Sequence, residues 1–232
     1  GKTVHMPDIN AGCQMANMVT PRELSTLKAR HPGAVVVTYV NSSAEIKAMS
    51  DVCCTSANAL DIVRRVPADK TIIFVPDRNL GAYCQKMTGR KMILWDGYCP
   101  VHERILIDFV HQAKAAHPEA EVVMHPECPL DVLKDADHIA STTGILSYCR
   151  ESRAREFIIG TEAGLLYQLQ RQSPGKQFYT ASPVSDCPDM KLPTPEKIIW
   201  CLEHLDGVIT VPADVTEHAR KPIERMLEQT GA

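Results

Sequence analysis

Several things are missing from this chain of 232 residues. No apolar run approaches the roughly 20 residues that a membrane-spanning helix needs. Positive charge is not in excess: 25 Lys and Arg stand against 28 Asp and Glu, a net charge of −3. No broad basic surface therefore points to nucleic acid. The start, Gly1-Lys2-Thr3-Val4-His5, has no apolar signal-peptide core. These absences predict a cytoplasmic protein acting on neither membrane nor nucleic acid. With 44% hydrophobic and 23% charged residues, the composition is that of a globular chain with a core.

Close cysteine pairs of the C-x-x-C kind, on which structural zinc sites rely, are also missing. Cysteine itself is plentiful, at nine residues. An odd, widely scattered set fits no disulfide framework. In a reducing compartment such residues are either small buried hydrophobes or metal and redox groups. Cys53, Cys54, Cys84, Cys149 and Cys201 fall within strand or helix patterns and read as structural. Cys128 lies in a turn but breaks the spacing described below, and it reads as a non-ligand.

Strand-like runs alternate with helical spacing throughout. The runs are Val35–Val40, Val52–Ser56, Thr71–Pro76 and Lys91–Asp96, then Glu121–Pro126, His138–Thr142, Glu156–Thr161 and Lys176–Ala181. The first of each set are continuous and β-branched, as parallel strands covered on both faces require. Helical segments are predicted over Ala44–Met49, Ala57–Val66, roughly His102–Ala116, Leu165–Arg171 and a mixed-charge docking helix at Glu217–Gln229. This βαβ rhythm predicts parallel sheets between helices.

The two four-strand sets repeat at an offset of 86 residues. Val37 falls on Val123, Ser56 on Thr142 and Ile73 on Ile159. Each set closes with a cysteine beyond its fourth strand, Cys99 and Cys187. Cys13 lies 86 residues before Cys99 (99 − 13), and Cys187 lies 88 after it (187 − 99). Val4–Pro7 followed by Cys13 reads as the end of an earlier unit, and the arithmetic places roughly 70 residues of that unit upstream of Gly1. The expected architecture is α/β: three three-layer α/β/α units with parallel sheets about a pseudo-threefold axis, the first largely missing. The boundaries are a remnant of the first unit at 1–20, a second unit at 21–103, a third at 104–190 and a C-terminal helical segment at 191–232.

Functional residues of parallel sheets gather where strands end and helices begin. The polar clusters lie there: Asp8-Ile9-Asn10, Tyr39-Val40-Asn41-Ser42, Asp77-Arg78-Asn79, His102-Glu103, His125-Pro126-Glu127, Ser141-Thr142-Thr143 and Thr161-Glu162. Three units around one axis would bring Cys13, Cys99 and Cys187 together. Three thiolates hold a 4Fe–4S cluster through three irons and leave the fourth open as a Lewis acid. His125 and Glu127 flank Pro126 on an irregular strand end, where a proton-transfer pair is plausible. The Ser141 run has the form of a helix N-cap, a geometry that also presents N–H groups to an anion.

The strings AGCQMANM, TYVNSSAEIKAMSDVCCTSANA, LWDGYCPVHE, VMHPECP, STTG and CPDMK resemble the quinolinate synthase family over essentially the whole chain. The resemblance implies condensation of iminoaspartate with dihydroxyacetone phosphate to quinolinate, releasing phosphate and water, in NAD biosynthesis. It implies a 4Fe–4S cluster on Cys13, Cys99 and Cys187. Tyr39 and Asn41 are then the pair that orders substrate over the open iron, and Ser56 a carboxylate contact. His102, His125 and Glu127 become substrate and proton-transfer groups, and Ser141 and Thr142 hydroxyl contacts for carboxylate or phosphate. It also implies a tyrosine and a histidine upstream of Gly1, and L-aspartate oxidase or aspartate dehydrogenase as supplier of the imine. Two other readings make different demands. An aconitase-type iron–sulfur dehydratase would need no phosphate subsite, and a non-catalytic phosphate- or metal-binding module would keep the three sulfurs apart.

Overall fold

Alternating β-branched strands and capped helices form two four-stranded sheets and a two-stranded ribbon in the computed structural model, which describes residues 2–230. After β1 (Val4–His5) and α1 (Pro21–Arg30), the first sheet is built from β2 (Val35–Tyr39), α2 (Ala44–Ala48), β3 (Val52–Cys54), α3 (Ala59–Arg65), β4 (Ile72–Val75), α4 (Arg78–Thr88) and β5 (Met92–Leu94). Two helices, α5 (Pro100–Glu103) and α6 (Ile107–Ala116), lead to the second. That sheet comprises β6 (Glu121–Met124), α7 (Leu130–Leu133), β7 (His138–Ile139), α8 (Thr142–Glu151), β8 (Glu156–Gly160), α9 (Leu165–Gln172) and β9 (Gln177–Thr180). The chain ends with α10 (Pro195–His204), β10 (Val208–Ile209) and α11 (Ala213–Thr230).

Both four-stranded sheets are fully parallel and share one order, β3-β2-β4-β5 and β7-β6-β8-β9. Each has apolar residues on both faces, as continuous β-branched runs dictate. In the first, Val36, Ile73 and Val75 pack with Leu24 and Ile46 of α1 and α2, while Val37 and Phe74 pack with Ile62 of α3 and Leu80 of α4. In the second, Val123, Phe157 and Ile159 meet Ile145 and Leu169 on one side. Val122, Met124 and Ile158 meet Val110 and Val132 on the other. The predicted strands are present in trimmed form. Helix starts follow the capping residues in the sequence: Thr20 with Glu23 forms a capping box before Pro21, and Ser43, Asp77, Ser141 and Thr194 cap α2, α4, α8 and α10.

Two expectations need correction. The single helix expected over His102–Ala116 is broken at Arg104–Leu106, because Ile105 is drawn completely into the second core and Leu106 turns extended. Val4–His5 pairs antiparallel with β10, satisfying backbone groups along that side of the strand. The C-terminal segment is consequently not wholly helical. Gly207 permits that pairing, since it has φ 68° and a Cβ there would stand 2.2 Å from the Met6 carbonyl oxygen. The tail does dock: α11 lies across α2 and β3, Met226 enters the first core, and Arg225 donates to the Asp51 carbonyl at 2.7 Å. Among the described residues, no helix is long and apolar enough to cross a membrane.

Candidate active site

In each sheet the strand order reverses between the first and third strands, so β2/β4 and β6/β8 are the points where a crevice opens at the carboxyl edge. Tyr39 ends β2, Asp77 follows β4, His125 follows β6 and Thr161 follows β8. These edges border a common cavity of about 590 Å³. Cys13, Cys99 and Cys187 all line it, together with Tyr39, Asn41, His102, His125, Glu127 and Thr142. Two residues singled out in the sequence stand behind the wall. Ser56 Oγ lies 3.2 Å from His125 Nε2, and the Ser141 hydroxyl accepts from the Gly144 N–H as the cap of α8.

A buried polar network joins the sheets. Tyr39 donates its hydroxyl to Glu127 Oε1 at 2.7 Å, and His102 Nδ1 lies 3.2 Å from Oε2 of the same carboxylate. On its other side His102 Nε2 meets Thr161 Oγ1 at 3.0 Å. The His102 and His125 rings stack with centroids 4.8 Å apart. Burial works against charge on Glu127, but the His102 imidazole, His125 and the Tyr39 hydroxyl outweigh it and hold the carboxyl below its usual range. Burial likewise opposes charge on His102, yet Glu127 and Cys99 beside it push its pKa up. His125 goes the other way: burial, with His102 adding to it, lowers it to about 4 against the pull of Glu127. Burial and the neighbouring carboxylate raise Tyr39, so it stays a neutral donor. The network therefore contains one carboxylate, one charged imidazole, one neutral imidazole and one phenol.

Each cavity cysteine stands at the start of a helical turn. Cys13 precedes the 3-10 turn Met15–Met18, Cys99 is the N-cap of α5, and Cys187 precedes the 3-10 turn Asp189–Lys191. The Ala16 and Met15 backbone N–H groups aim at the Cys13 sulfur, opposing the burial that pushes its thiol up. Two carboxylates hold the other loops from behind. Asp77 caps α4 through Oδ1 and accepts the Cys99 N–H through Oδ2 at 3.2 Å. Glu162 accepts the Cys187 N–H at 3.3 Å and the Gly164 N–H at 2.8 Å, and pairs with Lys191 at 2.8 Å. A Cβ on Gly164 would lie 2.6 Å from the Glu162 carboxylate, so only glycine leaves room for this clamp. The sequence placed Asp77, Thr161 and Glu162 at strand ends but gave them no role; a carboxylate that grips a cysteine 22 or 25 residues away leaves no local signal. Cys128 is fully buried in the second core, with its thiol directed at the Gly160 carbonyl, and does not line the cavity.

Doubly covered parallel sheets with a thiol-, imidazole- and carboxylate-lined cavity at their carboxyl edges define an α/β enzyme for small molecules. The chain belongs to the quinolinate synthetase A protein family, whose model matches residues 1–228. It is 53% identical to the quinolinate synthase of Geotalea uraniireducens over 226 residues, covering 97% of this chain and 74% of that protein. Identity to the quinolinate synthase of Methanosarcina barkeri is 50% over 226 residues, with the same coverage. To that of Trichormus variabilis it is 46% over 234 residues, 99% of this chain and 72% of the relative.

Proposed function

We propose that this chain carries the centre of a quinolinate synthase that joins iminoaspartate to dihydroxyacetone phosphate, releasing phosphate and water, in cytoplasmic NAD biosynthesis. The observation that carries the reading is one cavity walled both by Cys13, Cys99 and Cys187 and by the Tyr39–Glu127–His102 network. Within it, residues 21–103 and 104–190 act as two like units, with 1–20 supplying the first cysteine and 191–232 closing the fold.

The donor set suits an iron–sulfur cluster: three half-buried thiols on separate loops, one of them aimed at by backbone N–H groups. Cys13, Cys99 and Cys187 would hold a 4Fe–4S cluster, and its open iron would supply Lewis-acid activation of a substrate oxygen for loss of water. The protein's own groups do the rest. Tyr39 and Asn41 orient the substrate from β2, Tyr39 as a neutral phenol that donates a hydrogen bond. Glu127 is placed to accept a proton and His102 to return one, since their mutual attraction keeps one ionised and the other charged. Neutral His125, backed by Ser56, accepts or donates a hydrogen bond without adding charge. Thr142 opens α8 beside the cavity, where its hydroxyl and the free N–H groups of the first turn suit a carboxylate or phosphate. Holding both substrates in this pocket supplies part of the rate.

Anaerobic reconstitution with iron and sulfide tests the reading. About four irons per chain are expected, lost in each of Cys13→Ala, Cys99→Ala and Cys187→Ala and retained in Cys128→Ala. Quinolinate should form only when both substrates are present. Iron retained in any of the three cysteine variants, or turnover without triose phosphate, would end the proposal.

A further inference from the structure

We propose that Cys99, His102 and Glu127 form a site for a single divalent transition-metal ion, with zinc the best match, in protein that carries no cluster. We propose further that this ion and the cluster exclude each other because both need Cys99. The second half rests on the cluster reading above; the ion site itself does not.

One sulfur, one imidazole nitrogen and one carboxylate oxygen converge here, all within 4.8 Å of one another. In a tetrahedral zinc site with its usual bond lengths, neighbouring ligand atoms lie about 3.3–3.6 Å apart. The Nδ1 to Oε2 separation, 3.2 Å, is close to that spacing, and the whole set, within 4.8 Å, has only to tighten around an ion. Cys99 caps α5 and His102 lies three residues on, which puts both side chains on one side of a single turn. Glu127 reaches them from beyond β6.

The buried His102 Nδ1 has no hydrogen-bond partner among the described residues. Its contact with Glu127 is close but not aligned as a hydrogen bond, and a buried polar atom left so is costly. It lies within 4.8 Å of the Cys99 sulfur and a Glu127 oxygen, so a cation that displaces the imidazole proton would be held by all three. The far side of each ligand is also already held. His102 Nε2 meets Thr161 Oγ1 at 3.0 Å, the Tyr39 hydroxyl donates to Glu127 Oε1 at 2.7 Å, and the Cys99 N–H donates to Asp77 at 3.2 Å. Such outer partners fix the orientation of metal ligands. All three ligands line the cavity, which gives an entry route and room for water in the fourth position.

Cobalt(II) added anaerobically to the reduced, cluster-free protein reads the ligand set, because its charge-transfer and d–d bands report thiolate number and tetrahedral geometry. One ion bound through one thiolate is expected. The spectrum should persist in Cys13→Ala and Cys187→Ala, vanish in Cys99→Ala, and weaken at least tenfold in affinity in His102→Gln and Glu127→Gln. Thr161→Val, which touches no ion, should cost about tenfold. Circular dichroism confirms that each variant is folded. In the unaltered chain, zinc should shield Cys99 but not Cys13 or Cys187 from alkylation, a readout that needs no variant. A three-thiolate spectrum, or equal shielding of all three cysteines, would place the ion on the cysteines instead and overturn the site. Zinc added before reconstitution should lower iron uptake, and a chelator should restore it. Full iron uptake with zinc retained would overturn the exclusion alone, whereas failure of iron uptake under every condition would sink the cluster reading and leave the zinc result standing.

Discussion

The two sheets share one strand order and one spacing, yet they present opposite chemistry at equivalent places. Tyr39 and Asn41 at the end of the first sheet correspond to His125 and Glu127 at the end of the second, each pair 86 residues apart (125 − 39, 127 − 41). Ser56 corresponds to Thr142 by the same offset (142 − 56). At the first pair of positions the first sheet supplies a phenol and an amide, and the second supplies an imidazole and a carboxylate. Across the cavity they bond to each other: Tyr39 to Glu127, Ser56 to His125. A repeated backbone therefore fixes where these side chains stand, and the proposed function divides positioning from proton transfer between them.

Removing the charge from the second sheet should have the largest effect. Glu127→Gln is expected to lower kcat for quinolinate formation by about 10²–10⁴-fold with the fold retained, the range for a lost acid–base group. A kcat within threefold of the parent would break the division of labour. Tyr39→Phe, on the neutral side, should cost less. Losing one hydrogen bond to a buried carboxylate is worth about 1.5–3 kcal/mol, seen as a lower urea midpoint with an unchanged slope.

Acidification tests the neutral imidazole. The folded-state pKa of His125 is lowered to about 4, below that of the unfolded chain. The unfolded state therefore binds the proton first, so this residue's share of stability is complete above about pH 6.5 and is lost as pH falls toward about 4. That share is about 3 kcal/mol, from roughly two to two and a half units at 1.36 kcal/mol each. It should shrink in His125→Gln when the two proteins are melted across that range, and an equal pH slope in both would show that His125 is charged in the fold. The smallest effect should come from Ser56→Ala, which removes only the 3.2 Å contact to His125 and costs about 1 kcal/mol, a shift of a few degrees in Tm.

Much of this was legible in the residues. Val35–Val40 and Glu121–Pro126 announced β2 and β6 by their valine-rich apolar runs, and the 86-residue offset put Tyr39 and His125 at matching ends. Ser141 announced the start of α8, whereas α4 after Asp77 had no counterpart among the expected helices. What else escaped notice depends on contacts distant in sequence. The break between α5 and α6 arises because Ile105 belongs to a core assembled later in the chain. The pairing of Val4 with Ile209 spans almost the whole sequence. Thr161 was seen as a strand-end residue, but nothing beside it reveals that its hydroxyl meets His102, 59 residues earlier.

The cavity draws its walls from Gly12 to Lys191, and this gives it a timetable. Cys187 is made 174 residues after Cys13 (187 − 13). At about 5–20 residues per second on the ribosome, Cys13 waits roughly 9–35 s for its last companion. Through that interval its thiol, joined by Cys99 about halfway, has no finished cavity around it, so a reducing environment has to protect the site before the fold can.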